Sequence, residues 1–234
     1  MAVTKGQTPR TRSWRRFAVR DGVRPEPGGL FGVPILPSQR QSRVPDRGRE
    51  CNDGAVVIPT LTTARLILRP IENGDVDGFT RIWSDPEFAR HVGGPVTSPD
   101  AVWHQMAGCI GCWLLTGVGP WSVVERESGT LVGRAGLWDE PGWPGVEALW
   151  YIGRPWWGRG YAAEAAAAAI TWVLRVRPEL DRVCAAIVPA NIRSVRVAQR
   201  LGMHRTGAEY LHEETHAIYA VSRADWSRRS GAGS

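Results

Sequence analysis

The sequence predicts an α/β (α+β) protein built on a mixed, mostly antiparallel sheet flanked by helices. Three observations carry that expectation. Two strand-like runs, Trp121–Val124 and Leu131–Leu137, are joined by Glu127-Ser128-Gly129 and form a predicted hairpin. A third apolar run, Val146–Ile152, follows after one short loop and extends the hairpin into a meander. A glycine-bearing turn, Trp157-Gly158-Arg159-Gly160, then leads from that strand into Tyr161–Val176, where the alanines at 162, 163 and 165–169 favour helix propagation.

The remaining elements follow in order. Residues 1–58 are expected to be a disordered, basic, Pro/Gly/Arg-rich leader. Pro25, Pro27, Pro34, Pro37 and Pro45, with Gly22, Gly28, Gly29, Gly32 and Gly48, interrupt every candidate helix or strand there. One domain is expected over 59–228, with a flexible tail at 229–234. Arg65-Leu66-Ile67-Leu68-Arg69 alternates as a strand does, and Asn73–Val92 has a helical pattern. Ser98-Pro99-Asp100 is a helix start, a capping residue followed by proline at the first helical position, for a helix reaching about Thr116. Val183–Val188 is a further strand and Asn191–Leu201 a further helix. Arg205–Tyr210 and Ala217–Ser222 form a closing strand pair.

Composition narrows the function classes. The net charge is +6, yet residues 1–50 hold 11 Lys and Arg against 4 Asp and Glu, while the remaining 184 hold 18 against 19. The basicity therefore belongs to the leader, and the near-neutral domain argues against a polyanionic partner. Nucleic acid is not expected to bind beyond a weak contact through Arg10–Arg20; a solvated tail or an over-extended translation start is the plainer account of that stretch. No apolar run approaches the ~20 residues of a membrane helix. Arg15-Arg16-Phe17 has the twin-arginine form, but Arg20 and Asp21 stand where an export signal needs an apolar segment. Four cysteines lack a disulfide framework, and Cys109 and Cys112 are expected to pack in a helix rather than hold zinc. A cytoplasmic location and no metal are the expectations.

A glycine turn feeding a helix N-terminus aims unpartnered backbone N–H groups at one point and favours an anion, commonly a phosphate or pyrophosphate. A Walker loop requires Lys and then Ser or Thr after its last glycine, whereas Tyr161 and Ala162 follow Gly160. Gly158-Arg159-Gly160-Tyr161-Ala162-Ala163 does match the loose dinucleotide pattern. That site needs an acidic residue at the far end of the next strand, which ends Ile187-Val188-Pro189. An antiparallel meander before the loop also disagrees with a parallel dinucleotide domain.

The third reading is coenzyme A. Glu147-Ala148-Leu149-Trp150-Tyr151-Ile152 followed by Gly158-Arg159-Gly160-Tyr161-Ala162-Ala163-Glu164-Ala165 resembles the central strand, pyrophosphate loop and helix of the GNAT superfamily of N-acetyltransferases. Asn191-Ile192-Arg193-Ser194 with Leu201-Gly202-Met203 is similar to its Asn-x-x-Ser and Leu-Gly-Phe helix, and Thr63–Pro70 to its first strand. The resemblance spans about 61–226 and is nearest to the ribosomal-protein alanine acetyltransferase branch. It implies a GNAT-like sheet, acetyl-CoA as co-substrate, and an amine acceptor that is a peptide or protein N-terminus or a small molecule. It implies a monomer or homodimer free of the membrane. Two positions depart from the pattern. Pro155 replaces the usual Gln or Arg three residues before the first loop glycine, and Ala198 replaces the tyrosine many members use as general acid. These departures motivate an alternative, a non-catalytic acetyl-CoA-binding sensor or degenerate homologue.

By the same resemblance, the backbone of Trp157, Gly158, Arg159, Gly160, Tyr161 and Ala162 holds the pyrophosphate, and Asn191 bonds the pantetheine arm or simply caps its helix. Backbone at Trp150, Tyr151 and Ile152 meets the acyl carbonyl and the arm where the sheet splays. Glu147 is the candidate general base, since a carboxylate beside the thioester with a raised pKa suits that task; the alternative is a solvated or salt-bridged strand glutamate. Ser194 is the candidate acid for the leaving thiolate, or a helix-surface serine. Trp143, in a Pro-Gly-Trp-Pro-Gly loop, is a candidate wall of the acceptor site.

Overall fold

The computed structural model describes residues 56–231. All but three residues of the expected leader, and the last three of the expected tail, lie outside the described residues. The chain runs β1 (Leu61–Thr62), β2 (Leu66–Arg69), a 3-10 turn (Asn73–Asp75), α1 (Val76–Trp83), α2 (Pro86–Ala89), α3 (Pro99–Thr116), β3 (Pro120–Glu125), β4 (Leu131–Trp138) and β5 (Glu147–Ile152). A second 3-10 turn (Arg154–Trp156) precedes α4 (Tyr161–Val176), β6 (Arg182–Ile187), α5 (Ile192–Arg200), β7 (His204–Leu211), β8 (Glu214–Ser222) and α6 (Arg223–Gly231). The eight strands form one sheet in the order β1-β2-β3-β4-β5-β6-β8-β7. Only β5 and β6 pair in parallel, as expected of a mixed sheet.

Local chemistry fixes most boundaries. Ser98 accepts from Ala101 N–H with Pro99 in the first turn, and Gly117 ends α3 in the left-handed conformation at φ +75°. The single helix expected over Asn73–Val92 is instead two. Asp85 is extended and its carboxylate accepts from the N–H groups of Glu87 and Phe88, while Pro86 has no N–H to continue α1. The terminal helix α6 was not expected; Ser222 Oγ starts it by accepting from Asp225 N–H at 3.1 Å.

Alternation along β5 divides the core between the two faces of the sheet. Ala148 and Ile152 join the cluster containing α4 residues Ala165, Ala169, Ile170 and Val173. Tyr151 joins the cluster of Phe79, Trp83, Phe88, Met106 and Cys109 on α1, α2 and α3. Cys109 and Cys112 are buried and free, and burial raises the Cys112 thiol pKa. Trp113, Trp121 and Trp172 meet edge to face at 4.7, 5.5 and 5.3 Å, tying α3, β3 and α4 together. Asp75 is 4% exposed and accepts from both Arg69 Nη atoms at 2.8 and 2.6 Å, Ser122 Oγ at 2.6 Å and Glu72 N at 3.0 Å. Burial alone would raise its pKa, but those donors more than offset it and hold the carboxyl below its usual range.

Candidate active site

The turn between β5 and α4 requires glycine. Gly158 and Gly160 have φ of +77° and +81°, and Gly160 is the N-cap residue of α4, with no side chain capping the helix. The N–H groups of the first turn, from Tyr161, therefore have no intrahelical acceptor, and α4 presents them outward. A clamp holds the turn from behind. Glu164 accepts from Thr63 Oγ1 at 2.6 Å, Arg65 N at 2.9 Å and Arg65 Nε at 2.7 Å, while Arg65 Nη1 donates to the Arg159 carbonyl at 2.8 Å. Burial opposes the Glu164 charge, yet these bonds lower its pKa. The Tyr161 hydroxyl donates to Glu125 at 2.5 Å, so that side chain is already engaged.

Over this turn opens a groove of about 490 Å³, lined among others by Gly158, Gly160, Ala163, Ala167, Arg200 and Arg229. Ala163 and Ala167 lie one helical turn apart, and their small side chains leave the groove open between α4 and α5. Arg65, Arg159, Arg200 and Arg229 all border it. Glu164 also lines the groove and pairs with Arg65, and Arg159 lies 3.7 Å from Glu125, so the excess positive charge comes from Arg200, Arg229 and the α4 N-terminus; that excess suits a polyphosphate. The clustering of Arg65, Arg200 and Arg229 around the turn escaped the sequence because these residues are far apart along the chain.

The second half of the site is the seam between β5 and β6. A single Cα pair, Glu147 with Cys184, stands in register. Cys184 N donates to the Val146 carbonyl at 3.0 Å, but Ala186 N donates to Glu147 Oε1, also at 3.0 Å. The carboxylate thus takes the donor that the next rung of a parallel ladder would use, and the strands part. On the other side, the Gly153 N–H bond to the Val132 carbonyl fixes which β5 residues bond to β4. Alternation then turns the backbone groups of Ala148, Trp150 and Ile152 toward the seam and commits those of Leu149 and Tyr151 to β4. The Ile152 carbonyl accepts from Trp157 Nε1 at 2.6 Å.

Glu147 Oε2 accepts from Trp143 Nε1 at 2.7 Å, so the Pro-Gly-Trp-Pro-Gly loop is pinned to the carboxylate. His212, at the β7–β8 turn with φ +49°, brings its ring within 5.2 Å of Trp143. Burial pushes the Glu147 pKa up to about 7, against the Ala186 and Trp143 hydrogen bonds, with the Glu140 charge adding to the rise. Cys184 beside it is no nucleophile: burial, then the Glu147 charge, pushes its thiol up to about 12.

Asn191 Oδ1 accepts from Ser194 N at 3.1 Å and caps α5, leaving the Asn191 amide nitrogen outside that bond. Ser194 is half-buried in the first turn of α5 and shares no hydrogen bond with Glu147. Arg154 is exposed and 3.9 Å from Asp85, and Ala198 is fully buried in the core. Among the described residues no group of three His, Cys, Asp or Glu is placed to hold a metal ion, and no helix is long and apolar enough to cross a membrane.

Comparison with known proteins points the same way. The family model described as an acetyltransferase (GNAT) domain matches residues 65–204. An uncharacterized N-acetyltransferase of Bacillus licheniformis, p20, is 28% identical over 63% of this chain and 84% of its own length. A solved acetyltransferase from Agrobacterium tumefaciens is 31% identical, with a TM-score of 0.63 over 74% of this chain and 99% of that one. RimL, a ribosomal L7/L12 alpha-N-protein acetyltransferase solved with coenzyme A, is 18% identical and shares the fold at a TM-score of 0.59, over 70% of this chain and 98% of its own.

Proposed function

The chain belongs to the GNAT acetyltransferase family, and from that premise we propose that it moves an acetyl group from acetyl-CoA to a primary amine by direct attack on the thioester. The observation that carries the proposal is the Glu147 carboxylate, set where β5 and β6 separate and ionising near neutral pH, at about 7. A base with that pKa accepts a proton readily at pH 7 and is worth roughly 10²–10⁴ in rate.

The turn and α4 N-terminus from Trp157 to Ala162 would hold the pyrophosphate, with Arg200 and Arg229 adding charge. Asn191, through its uncommitted amide nitrogen, and the seam-facing backbone of Trp150 and Ile152 would hold the pantetheine arm. Tyr151 contributes its ring rather than its backbone. Bound acetyl-CoA supplies the activated acyl carbon, at which a C–N bond forms as the C–S bond breaks. Glu147 takes the proton released from the amine, and the Trp150 N–H stabilises charge on the carbonyl oxygen. Ser194 is the available hydroxyl for returning a proton to the thiolate. Fixing amine and thioester together contributes several kcal/mol (about 7–11 in favourable systems).

The acceptor is a peptide N-terminus or a small amine; the activity of RimL, a fold neighbour that acetylates a protein N-terminus, favours the peptide. Calorimetric titration with acetyl-CoA, and NADH as control, tests the coenzyme site. Micromolar binding of acetyl-CoA alone is expected, followed by turnover on an amine panel that Glu147→Gln abolishes while coenzyme affinity persists. Binding without turnover on any amine would favour a non-catalytic sensor.

A further inference from the structure

Arg134 stands on β4 directly opposite Tyr151, on the α1–α3 face of the sheet. Its guanidinium carbon lies 4.7 Å from the Trp83 ring and 4.6 Å from the Tyr151 ring, and Nη1 donates to Cys109 Sγ at 3.2 Å. Its Nε is shielded from solvent and has no hydrogen-bond partner. No carboxylate pairs with it among the described residues. The ring faces attract the cation and the Tyr151 side chain also hydrogen-bonds to it, but a thiol is a weak acceptor and none of these groups carries a full negative charge. Arg134 is half-buried, so these contacts replace only part of the hydration and counter-charge it would have in water. The guanidinium is therefore under-satisfied.

Beside it lies a cavity of about 40 Å³, bordered by Trp83, Phe88, Val96, Gln105, Arg134 and Tyr151. A water needs about 10–15 Å³ of such cavity space, so the cavity admits a group of two or three heavy atoms, the size of a carboxylate head. No acidic side chain lines it. Alternation puts Glu147 and Tyr151 on the same face of β5, four positions apart. At ~3.3 Å per residue that is roughly 13 Å. An extended peptide covers this distance in nearly four residue steps of ~3.3–3.6 Å, which takes it from its first residue to its fourth or fifth.

We propose that Arg134 binds a carboxylate of the acceptor, which makes the acceptor a peptide with Asp or Glu at its fourth or fifth residue. This rests on the amine being acetylated beside Glu147. Arg134 forks onto the carboxylate and Tyr151 closes one side of it, so the acid sets register and the amine falls at the seam.

The test uses two hexapeptides, Ser-Ala-Ala-Asp-Asp-Ala and Ser-Ala-Ala-Asn-Asn-Ala, with the full-length chain and coenzyme A present. Equilibrium binding by calorimetry is expected to favour the acidic peptide at least tenfold at low salt, and acetylation by kcat/KM to follow. Arg134→Met should bring the binding ratio to near one, and Arg134→Lys, which keeps the charge but not the fork, to an intermediate value. Thermal melting verifies that each variant folds; should Arg134→Met not fold, the wild-type ratio and Arg134→Lys still decide. Equal binding of the two peptides, or of neither, by the wild-type chain overturns the proposal whatever the turnover. A tenfold preference without acetylation of either peptide upholds the Arg134 site and instead removes the acetyl-transfer reading.

Discussion

The indole N–H of Trp143 and the carboxylate of Glu147 are joined by a 2.7 Å hydrogen bond, one residue on a loop and the other at the first position of β5. The bond links the chemistry of the seam to a mobile-looking sequence, Pro-Gly-Trp-Pro-Gly, that the carboxylate itself anchors. It also lowers the pKa of Glu147, the proposed base, because a donor to a carboxylate stabilises the ionised form.

Glu147 must be ionised to accept a proton, and burial sets its pKa at about 7. With acetyl-CoA saturating, kcat should rise tenfold per pH unit below ~7 and level off above it. Trp143→Phe removes a donor that lowers this pKa, so the limb should move to higher pH, by up to about one unit. Overlaid pH–rate profiles of the two proteins would reveal the shift; a limb that moves to lower pH, or stays, contradicts the tuning role.

Gly160 has φ +81°, and an added Cβ would sit 3.4 Å from Arg65 Nη2. Gly160→Ala should cost roughly 1–2 kcal/mol in the left-handed conformation alone. Much of that would appear as weaker coenzyme binding, about tenfold by calorimetry, because the turn and the helix N-terminus are one structure. Unaltered affinity would show that the turn does not bear the pyrophosphate.

Asp75 anchors Arg69, Ser122 and the chain at Glu72. Asp75→Ala leaves Arg69 with only Glu72, 3.9 Å away, as counter-ion and strips Ser122 of its acceptor, so it should lower stability by about 1–3 kcal/mol in urea unfolding at pH 7. Since the folded pKa lies below the ordinary 3.8, the wild-type advantage is complete above the unfolded value. It should shrink as pH falls through the folded one. A difference that does not change down to pH 2 would place the loss in packing instead.

Trp121 is fully buried, and its Nε1 donates to the Pro59 carbonyl at 2.6 Å. Trp121→Ala should cost about 3–5 kcal/mol and leave the carbonyl unpaired. Chemical denaturation with far-UV detection would measure it, and a loss under 1 kcal/mol would mean that Trp113 and Trp172 close over the gap.

Much of this architecture was legible because its signals are local. Ser98-Pro99 and Gly117 bracket α3, the alanine run propagates α4, and Asn191 caps α5, each within a few residues. The break between α1 and α2 was also written locally, in Asp85-Pro86, but apolar periodicity across Asn73–Val92 outweighed it. Helix α6 is polar and gave no periodic stripe, with Ser222 and Asp225 as its only start signal. In the site, the position of Glu147 was readable from its strand. Its partners were not, since Ala186 and His212 reach it or its loop only through tertiary packing. The same limit hid the clustering of Arg65, Arg200 and Arg229 around the turn.

The lone in-register pair between β5 and β6 has a mechanical consequence. With so little pairing, the junction of strands β1–β5 with strands β6, β8 and β7 at Glu147 and Cys184 is where the sheet would hinge most easily. Any ligand lying in the seam works as a tie across the junction. By mass action, one present at 100 times its Kd raises stability by about 2.7 kcal/mol. The amides of Trp150 and Ile152, which border the hinge, should then be the ones whose hydrogen exchange slows most when the tie is in place.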